Sequence, residues 1–145
     1  MPDRKRKRVA FDLDETLGVP VIDDVEITGF RFREGCVELL RRLRNDFDLI
    51  LWSVSNRSYL DKNLAFGLSE FFRETYSWDE IATGWKDVRR IDADFLIDDS
   101  RHHFEEAAKH GIGDRYIVIA PYGSPEDFEN PTLWIEQIEG ILFER

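Results

Sequence analysis

Cysteine is almost absent from this sequence: Cys36 is the only one among 145 residues. A single cysteine excludes an internal disulfide and a cysteine-rich metal site, and it suits a reducing compartment. Apolar runs long enough to span a membrane are also absent, and the N-terminus lacks the apolar segment of a secretory signal peptide. These absences predict a cytoplasmic protein with no membrane partner.

Positive charge is scarce over most of the chain, which carries a net charge of −10. The exception is residues 1–8, a basic N-terminal arm in which every residue from Arg4 to Arg8 is basic. The acidic remainder argues against a broad nucleic-acid-binding surface. The arm could still contact nucleic-acid phosphates, although a solvated tail that leads into the first strand is the simpler interpretation.

Residues 9–145 have the size and apolar content of one globular domain. Hydrophobic residues make up 42% of the sequence and aromatic residues 13%, which argues against disorder although 34% of the residues are charged. No internal repeat or low-complexity linker divides the chain. We therefore expect a single domain, of an oligomeric state that the sequence does not indicate.

Short apolar runs alternate with segments of helical periodicity along the chain. The pattern predicts buried strands that begin at Val9 and that cover residues 47–52, 94–97 and 115–120. It predicts helices over residues 34–44, 56–68 and 101–110, and a terminal helix after Pro131. Two β-prone runs, 19–22 and 27–32, predict a hairpin-like flap. Strands that alternate with helices predict a three-layer, Rossmann-like α/β fold with a parallel sheet.

The predicted helices each have an apolar face, which we assign to the core. The core residues predicted for them include Cys36, Leu39, Leu40, Leu43, Leu60, Leu64, Phe66, Phe104, Ala107, Ala108, Trp134, Ile135, Ile138, Ile141 and Leu142. The histidines, His102, His103 and His110, lack the spacing of metal ligands. We therefore expect them at the surface or at a helix end.

Polar side chains stand where three of the predicted strands end. Asp12, Asp14 and Thr16 follow the first strand, Ser53 follows the second, and Asp98 and Asp99 follow the third. The carboxyl ends of parallel strands lie at one edge of the sheet, where open α/β folds bind their ligands. Lys86 is expected to reach this edge from a nearby helix. A solvated acidic turn is the alternative interpretation of residues 12–16.

These residue types predict a site for a divalent cation and a phosphate. Neighbouring carboxylates repel each other and therefore favour a cation between them, and their oxygens suit Mg²⁺. A carboxylate can also act as a nucleophile, and a second one can act as general acid and base. Ser53, Val54, Ser55 and Asn56 offer hydroxyl and backbone N–H groups to an anion, although Ser55 or Asn56 could simply cap the next helix.

The set of motifs resembles that of the haloacid dehalogenase (HAD) superfamily of phosphotransferases. The motifs are DLDET at 12–16, the strand that ends at Ser53, then Lys86, and LIDDS at 96–100. Their order and spacing match the family over nearly the whole chain. The complete set is much more specific than any one of its parts.

The resemblance implies a role for each motif residue. Asp12 would be the nucleophile, which forms an aspartyl-phosphate, and Asp14 the general acid and base. The phosphoryl group would be bound by Ser53, Val54 and Lys86. Mg²⁺ would be held by Asp12, the main-chain carbonyl of Asp14 and the acidic pair, with Asp99 as the direct ligand and Asp98 as its support.

The intervals between the motifs leave no room for an inserted cap domain. The chain looks most like phosphatases of the CTD-phosphatase (FCP/NIF) type, and it is also similar to magnesium-dependent phosphatases and polynucleotide phosphatase domains. It departs from the CTD type at Glu34 and Asp99, where proline and asparagine are usual. An open site suits a macromolecular substrate, either a phosphoprotein or a nucleic-acid end. The candidate substrate contacts are Thr16, Arg33, Asn56 and Arg57.

Other functions are compatible with parts of this pattern. A small-molecule phosphatase could close its site by oligomerisation. A receiver-type signalling module, which is phosphorylated on an aspartate, also groups acidic residues, a hydroxyl and a lysine around Mg²⁺. In receivers, however, the acidic pair comes first and the lysine last, whereas here Lys86 precedes Asp98 and Asp99. A third interpretation is a protein that retains the HAD fold as a scaffold without catalysis. The intact motif set argues against it.

Overall fold

The fold is built on a five-stranded parallel sheet. The computed structural model describes residues 6–144. The strands are β1 (Lys7–Phe11), β2 (Gly18–Asp23), β3 (Glu26–Phe32), β4 (Phe47–Trp52), β5 (Glu74–Tyr76), β6 (Phe95–Asp98) and β7 (Tyr116–Val118). The main sheet has the order β5-β4-β1-β6-β7, so that β1 lies at its centre between β4 and β6. The parallel α/β fold predicted from the sequence is confirmed.

Helices cover both faces of this sheet. They are α1 (Cys36–Asp46), α2 (Arg57–Leu64), α3 (Arg101–Lys109), α4 (Pro125–Glu129) and α5 (Leu133–Leu142). Short 3₁₀ turns lie at Ser69–Phe71, Val88–Ile91 and Gly113–Arg115. None of the helices within residues 6–144 is both long enough and apolar enough to cross a bilayer.

β1 shows how the sheet separates two cores. Val9 and Phe11 belong to one core, which includes Trp134 of α5 and the buried residues of α1 and α2. Ala10 belongs to the other core, which includes Ala107 of α3. Successive side chains of a strand point to opposite faces, so one strand supplies both cores. β1 is therefore held in place by packing against both of its faces.

The hairpin of β2 and β3 lies apart from the main sheet and follows directly on the loop after β1. This element confirms the predicted flap. At its base, a Cβ atom on Gly18 would lie 2.0 Å from the carbonyl oxygen of Arg31. Only glycine permits so close an approach of the two chain segments. Gly18 therefore allows the two strands of the hairpin to approach closely at its base.

The structure corrects several local predictions. α2 ends at Leu64 and not at Leu68, so Phe66 falls outside the apolar face of the helix and is 36% exposed. Ala108 is exposed and Ile141 is 39% exposed, because both lie on the outer sides of their helices. β5 and α4 contain 3 and 5 residues, too few to show a period in the sequence.

Candidate active site

Three strand ends meet at one edge of the main sheet. Because β4 and β6 flank β1, Ser53 after β4 and Asp98 at the end of β6 lie on either side of Asp12. The Asp12 N–H donates to the Ile97 carbonyl at 2.9 Å, which extends the pairing beyond the end of β1. The sheet thus places the first polar residue of each motif at the same edge.

A largely buried cluster of charged side chains occupies this edge. Asp12, Asp98 and Asp99 each offer a carboxylate oxygen within 4.8 Å of the others. The Lys86 ammonium donates to Asp12 Oδ1 at 2.8 Å and to Asp98 Oδ2 at 3.0 Å. The Thr16 hydroxyl lies 3.2 Å from Asp12 Oδ2 and 3.1 Å from Asp99 Oδ1. Thr16, predicted as a substrate contact, here bridges two carboxylates.

Burial dominates the electrostatics of the cluster. It raises the pKa of Asp12, a rise that the Lys86 ammonium opposes and the Asp98 carboxylate reinforces. Burial, with the charges of Asp12 and Asp98, raises the pKa of Asp99 to about 8. Burial also lowers the pKa of Lys86, but the two carboxylates beside it raise that pKa by more, so the net shift is upward. Both carboxylates thus favour the charged form of Lys86.

The carboxylate cluster could hold a metal ion. Three carboxylates face one ammonium here, and such an excess of negative charge is relieved by a cation or by protons. Carboxylate oxygens are the ligands that hard divalent cations prefer. The donor set and the charge imbalance therefore both fit a divalent cation beside Asp12.

A polar turn joins β4 to α2 beside the cluster. Ser53 is buried, and its Oγ lies 2.7 Å from Ser55 Oγ and accepts the Ser55 N–H at 3.2 Å. Asn56 caps α2, since its Oδ1 accepts the Tyr59 N–H at 2.7 Å. Val54 is exposed at the rim. The turn brings together the hydroxyl and main-chain groups that the sequence predicts for anion binding.

Asp14 directs its carboxylate to α2, where the Tyr59 hydroxyl donates to Asp14 Oδ1 at 2.7 Å. Burial raises the pKa of Asp14, the hydrogen bond from Tyr59 opposes this rise, and the charge of Asp12 adds to it. Sequence reasoning did not find Tyr59. The feature of the sequence that could have indicated Tyr59 is its place in the first turn of a helix whose cap, Asn56, belongs to the polar turn beside the carboxylate cluster.

Arg33 is buried beneath the loop that follows Asp14 and is 2% exposed. Its guanidinium donates to Asp127 Oδ1 at 2.9 Å and to the carbonyls of Glu15 and Thr16 at 3.3 Å. It also lies 4.5 Å from the ring centre of Trp134. Glu15 has a φ of 64°, a left-handed conformation that needs support in a residue with a side chain. These contacts give Arg33 a structural role in place of the predicted substrate contact.

Arg57 is also held by neighbouring groups. Its guanidinium donates to Glu80 Oε1 at 2.6 Å, to Asp61 Oδ1 at 3.1 Å and to the Thr75 carbonyl at 2.9 Å. The bond to Thr75 joins the start of α2 to β5, and the bond to Glu80 joins it to the segment that follows β5. Arg57 therefore anchors the polar turn, and its predicted contact with substrate would require it to leave these partners.

His103 is a second residue that sequence reasoning missed. It was expected at the surface or at a helix end; it lies in the first turn of α3 but is buried, and its Nδ1 accepts the Lys86 N–H at 2.9 Å. Its Nε2 lies 3.8 Å from Asp98 Oδ2. Burial and the nearby charge of Lys86 lower the pKa of His103 to about 4, so the imidazole is neutral. The apolar pattern of α3 could not reveal a buried polar ring.

The predicted basic arm is partly built into the sheet. β1 begins at Lys7, and the Arg8 guanidinium donates to both carboxylate oxygens of Glu74 at 2.8 Å. These residues lie at the amino ends of the strands, opposite the edge that carries the carboxylate cluster. Arg4 and Lys5 lie outside the described residues, so a contact of the arm with nucleic acid stays a prediction.

Several solved structures share this fold. The structure of Fcp1, an essential RNA polymerase II CTD phosphatase, superposes with a TM-score of 0.65 at 16% identity, over 97% of this chain and 50% of that one. The structure of fission yeast Fcp1 with a point substitution, bound to beryllium fluoride, superposes with a TM-score of 0.64 at 14% identity. The superposition covers 97% of this chain and 52% of that one. A Thermotoga maritima protein assigned as a β-phosphoglucomutase superposes with a TM-score of 0.65 at 13% identity. The superposition covers 96% of this chain and 100% of that one.

These likenesses define the class of fold. The chain has the α/β fold of HAD-type phosphatases and phosphomutases, which confirms the fold that the motif resemblance implied. Identities of 13–16% show the fold alone. The chain spans about half the length of the Fcp1 structures. No protein-family model and no curated protein matches the sequence.

Proposed function

We propose that the chain is a phosphoric monoester hydrolase that acts through an aspartyl-phosphate on Asp12. The observation that carries this proposal is the setting of Asp12, with Lys86 on one carboxylate oxygen, Thr16 on the other and two further carboxylates beside it. Phosphoryl transfer depends mostly on positioning and charge stabilisation, which such a setting supplies. The fold shared with Fcp1 supports the same assignment.

Two carboxylates would divide the chemistry. In the first step an oxygen of Asp12 attacks phosphorus, the bond from phosphorus to the leaving oxygen breaks, and Asp14 protonates that oxygen. In the second step Asp14 takes a proton from water, whose oxygen attacks phosphorus, so that phosphate leaves and Asp12 is restored. The raised pKa of Asp14 suits a group that must carry a proton during part of the cycle.

Mg²⁺ is the ion that we propose for the carboxylate cluster. Asp12, the main-chain carbonyl of Asp14 and Asp99 would hold it. Asp98 already accepts the Ser100 N–H at 2.9 Å, which supports it as the residue behind Asp99. When bound, Mg²⁺ supplies positive charge against the phosphoryl oxygens.

The turn after β4 would complete the phosphate site. The Ser53 hydroxyl and the main-chain N–H of Val54 would bind phosphoryl oxygens on the side away from the carboxylates, and Asn56 would lie at the rim. Lys86 supplies the fixed cation, because its ammonium is already held beside Asp12. Charge placed in advance lowers the cost of reorganisation in the transition state.

A phosphorylated polypeptide is the substrate class that we favour. Within residues 6–144 no cap domain covers the site. The hairpin beside it exposes Ile22 and Val25 by 58% and 88%, and a groove of about 250 Å³ lies between this hairpin and Tyr59. Exposed apolar side chains suit a polypeptide better than a nucleic acid, which the net charge of −10 also disfavours. Fcp1, a phosphatase of the RNA polymerase II CTD, supports a protein substrate.

Hydrolysis of an aryl phosphate should require Mg²⁺. We expect EDTA to lower the rate by at least ~100-fold, because the metal contributes several kcal/mol of charge stabilisation, and we expect added Mg²⁺ to restore it. Phosphate release measured across phosphopeptides, phosphorylated oligonucleotides and sugar phosphates would then identify the substrate class. Full activity in EDTA would contradict the metal assignment, and a clear preference for oligonucleotides would contradict the favoured substrate class.

Tyr59→Phe should slow the first step in a manner that depends on the leaving group. We expect kcat/KM for an alkyl phosphate to fall about 10-fold, because a hydrogen bond to a charged group contributes roughly 1.5–3 kcal/mol and only part of it acts on catalysis. An activated aryl phosphate needs less protonation and should be affected less. The loss of rate expected for Asp14→Asn, about 10²–10⁴-fold, is the upper limit of the loss that Tyr59→Phe can cause through Asp14. Equal losses on both substrates would show that Tyr59 does not act through Asp14.

A further inference from the structure

Lys86 is held at its main chain as well as at its ammonium. Its N–H donates to Nδ1 of the buried His103 at 2.9 Å, and its carbonyl accepts the Tyr116 hydroxyl at 2.7 Å. The segment that carries Lys86 belongs to no helix or strand, so the expectation that this lysine comes from a helix is wrong. Side chains therefore supply the main-chain partners that secondary structure would otherwise provide.

Two further histidines, His102 of α3 and His110 directly after its end, contact the residues before Lys86. The Nε2–H of His102 donates to the Gly84 carbonyl at 2.8 Å. The ring of His110 stacks on Trp85, with ring centres 5.3 Å apart and planes inclined by 16°. α3 and the residue that follows it thus contact three consecutive residues of the segment that carries the lysine. Among these contacts, only that of His103 is made to Lys86 itself.

We infer that His103 is a positioning residue for Lys86. The catalytic role of the lysine, to which this inference refers, rests on the proposed function. A lysine ammonium sits at the end of a flexible four-carbon stem, so its position depends on a fixed main chain. Nδ1 of His103 fixes that main chain, and the ammonium then reaches both Asp12 and Asp98. The remaining ring proton lies on Nε2, which faces Asp98.

A pair of substitutions separates the hydrogen bond from the ring. His103→Leu fills the space but removes the acceptor, whereas His103→Asn keeps an acceptor oxygen near the position of Nδ1. We expect His103→Leu to lower kcat on an aryl phosphate by about 10–100-fold through misplacement of Lys86, with KM changed little. His103→Asn should restore most of kcat. Equal losses in both folded variants would overturn the inference.

A measurement that needs no catalysis tests the same contact. The Lys86 side chain is 1% exposed, so it should resist reductive methylation in the wild type, whereas Lys62 and Lys109 are exposed and serve as internal standards. Peptide mass spectrometry should show faster methylation of Lys86 in His103→Leu and continued protection in His103→Asn. Continued protection of Lys86 in folded His103→Leu would overturn the inference.

The wild type provides a test that does not depend on variant folding. Nitrogen NMR should show Nδ1 of His103 without a proton and Nε2 with one, and a proton on Nδ1 would overturn the inference. If the wild type hydrolyses no phosphomonoester while His103→Leu still releases Lys86 to methylation, the proposed function fails and the positioning of the lysine stands.

Discussion

Asp12→Asn should abolish phosphatase activity and leave the fold intact or more stable. An amide cannot form the acyl phosphate, and loss of a nucleophile costs ~10⁴-fold or more. Burial raises the pKa of Asp12 and so disfavours its charge, and Asp98 and Asp99 lie close to it. Removal of one of these charges relieves repulsion, while Lys86 keeps its bond of 3.0 Å to Asp98.

Two measurements check this expectation. Steady-state hydrolysis of an aryl phosphate should fall below detection, and the melting temperature without metal should stay constant or rise. Asp114→Asn is the matched control, because Asp114 is exposed and lies in the 3₁₀ turn before β7. We expect that control to keep wild-type activity. Measurable turnover by Asp12→Asn would place the nucleophile elsewhere, and a large fall in its melting temperature would make Asp12 a structural residue.

Arg33→Ala should destabilise the fold by about 3–5 kcal/mol, because it leaves the buried carboxylate of Asp127 without its cation. The Arg33 side chain is 1% exposed and that of Asp127 10%. The substitution also removes donors to the carbonyls of Glu15 and Thr16. We expect the midpoint of urea unfolding to fall accordingly, with loss of activity below the transition because the loop that holds Glu15 and Thr16 loses its support.

Arg42→Ala is the control for this prediction. Arg42 lies in α1, shortly after Arg33 in the sequence, and pairs with Glu139 at 2.8 Å, close to the 2.9 Å between Arg33 and Asp127. The side chain of Arg42, however, is 52% exposed. Exposed ion pairs contribute about 0–1 kcal/mol, so its loss should be barely measurable. Equal effects of the two substitutions on the free energy of unfolding would contradict the structural role of Arg33.

The edge of the sheet that carries the candidate site could be predicted from sequence because topology alone brings strand ends together. Asp12, Ser53 and Asp98 each follow a short apolar run, and the structure places these runs side by side. A carboxylate pair after one strand and a hydroxyl after the next are visible in the sequence. Their convergence requires only that the strands be parallel neighbours.

Contacts made by helices and loops could not be predicted in this way. Tyr59 and His103 occupy helices whose apolar pattern says nothing of where a hydroxyl or an imidazole points. Arg33 lies near the catalytic loop in sequence, but its partner Asp127 is 94 residues away. An arginine that binds a distant carboxylate and one that binds a substrate phosphate look the same in a sequence. The roles of these residues therefore depend on contacts with residues far away in the sequence, which a sequence pattern does not show.

Trapping of the phosphoenzyme tests the central claim most directly. The chain is quenched with acid while it hydrolyses a phosphate ester in Mg²⁺, then treated with borohydride, which reduces an acyl phosphate to an alcohol. Peptide mass spectrometry locates the reduced residue. We expect homoserine at position 12, and only when both substrate and Mg²⁺ were present. Homoserine at position 98 or 99, or no reduced residue during rapid turnover, would contradict an aspartyl-phosphate on Asp12.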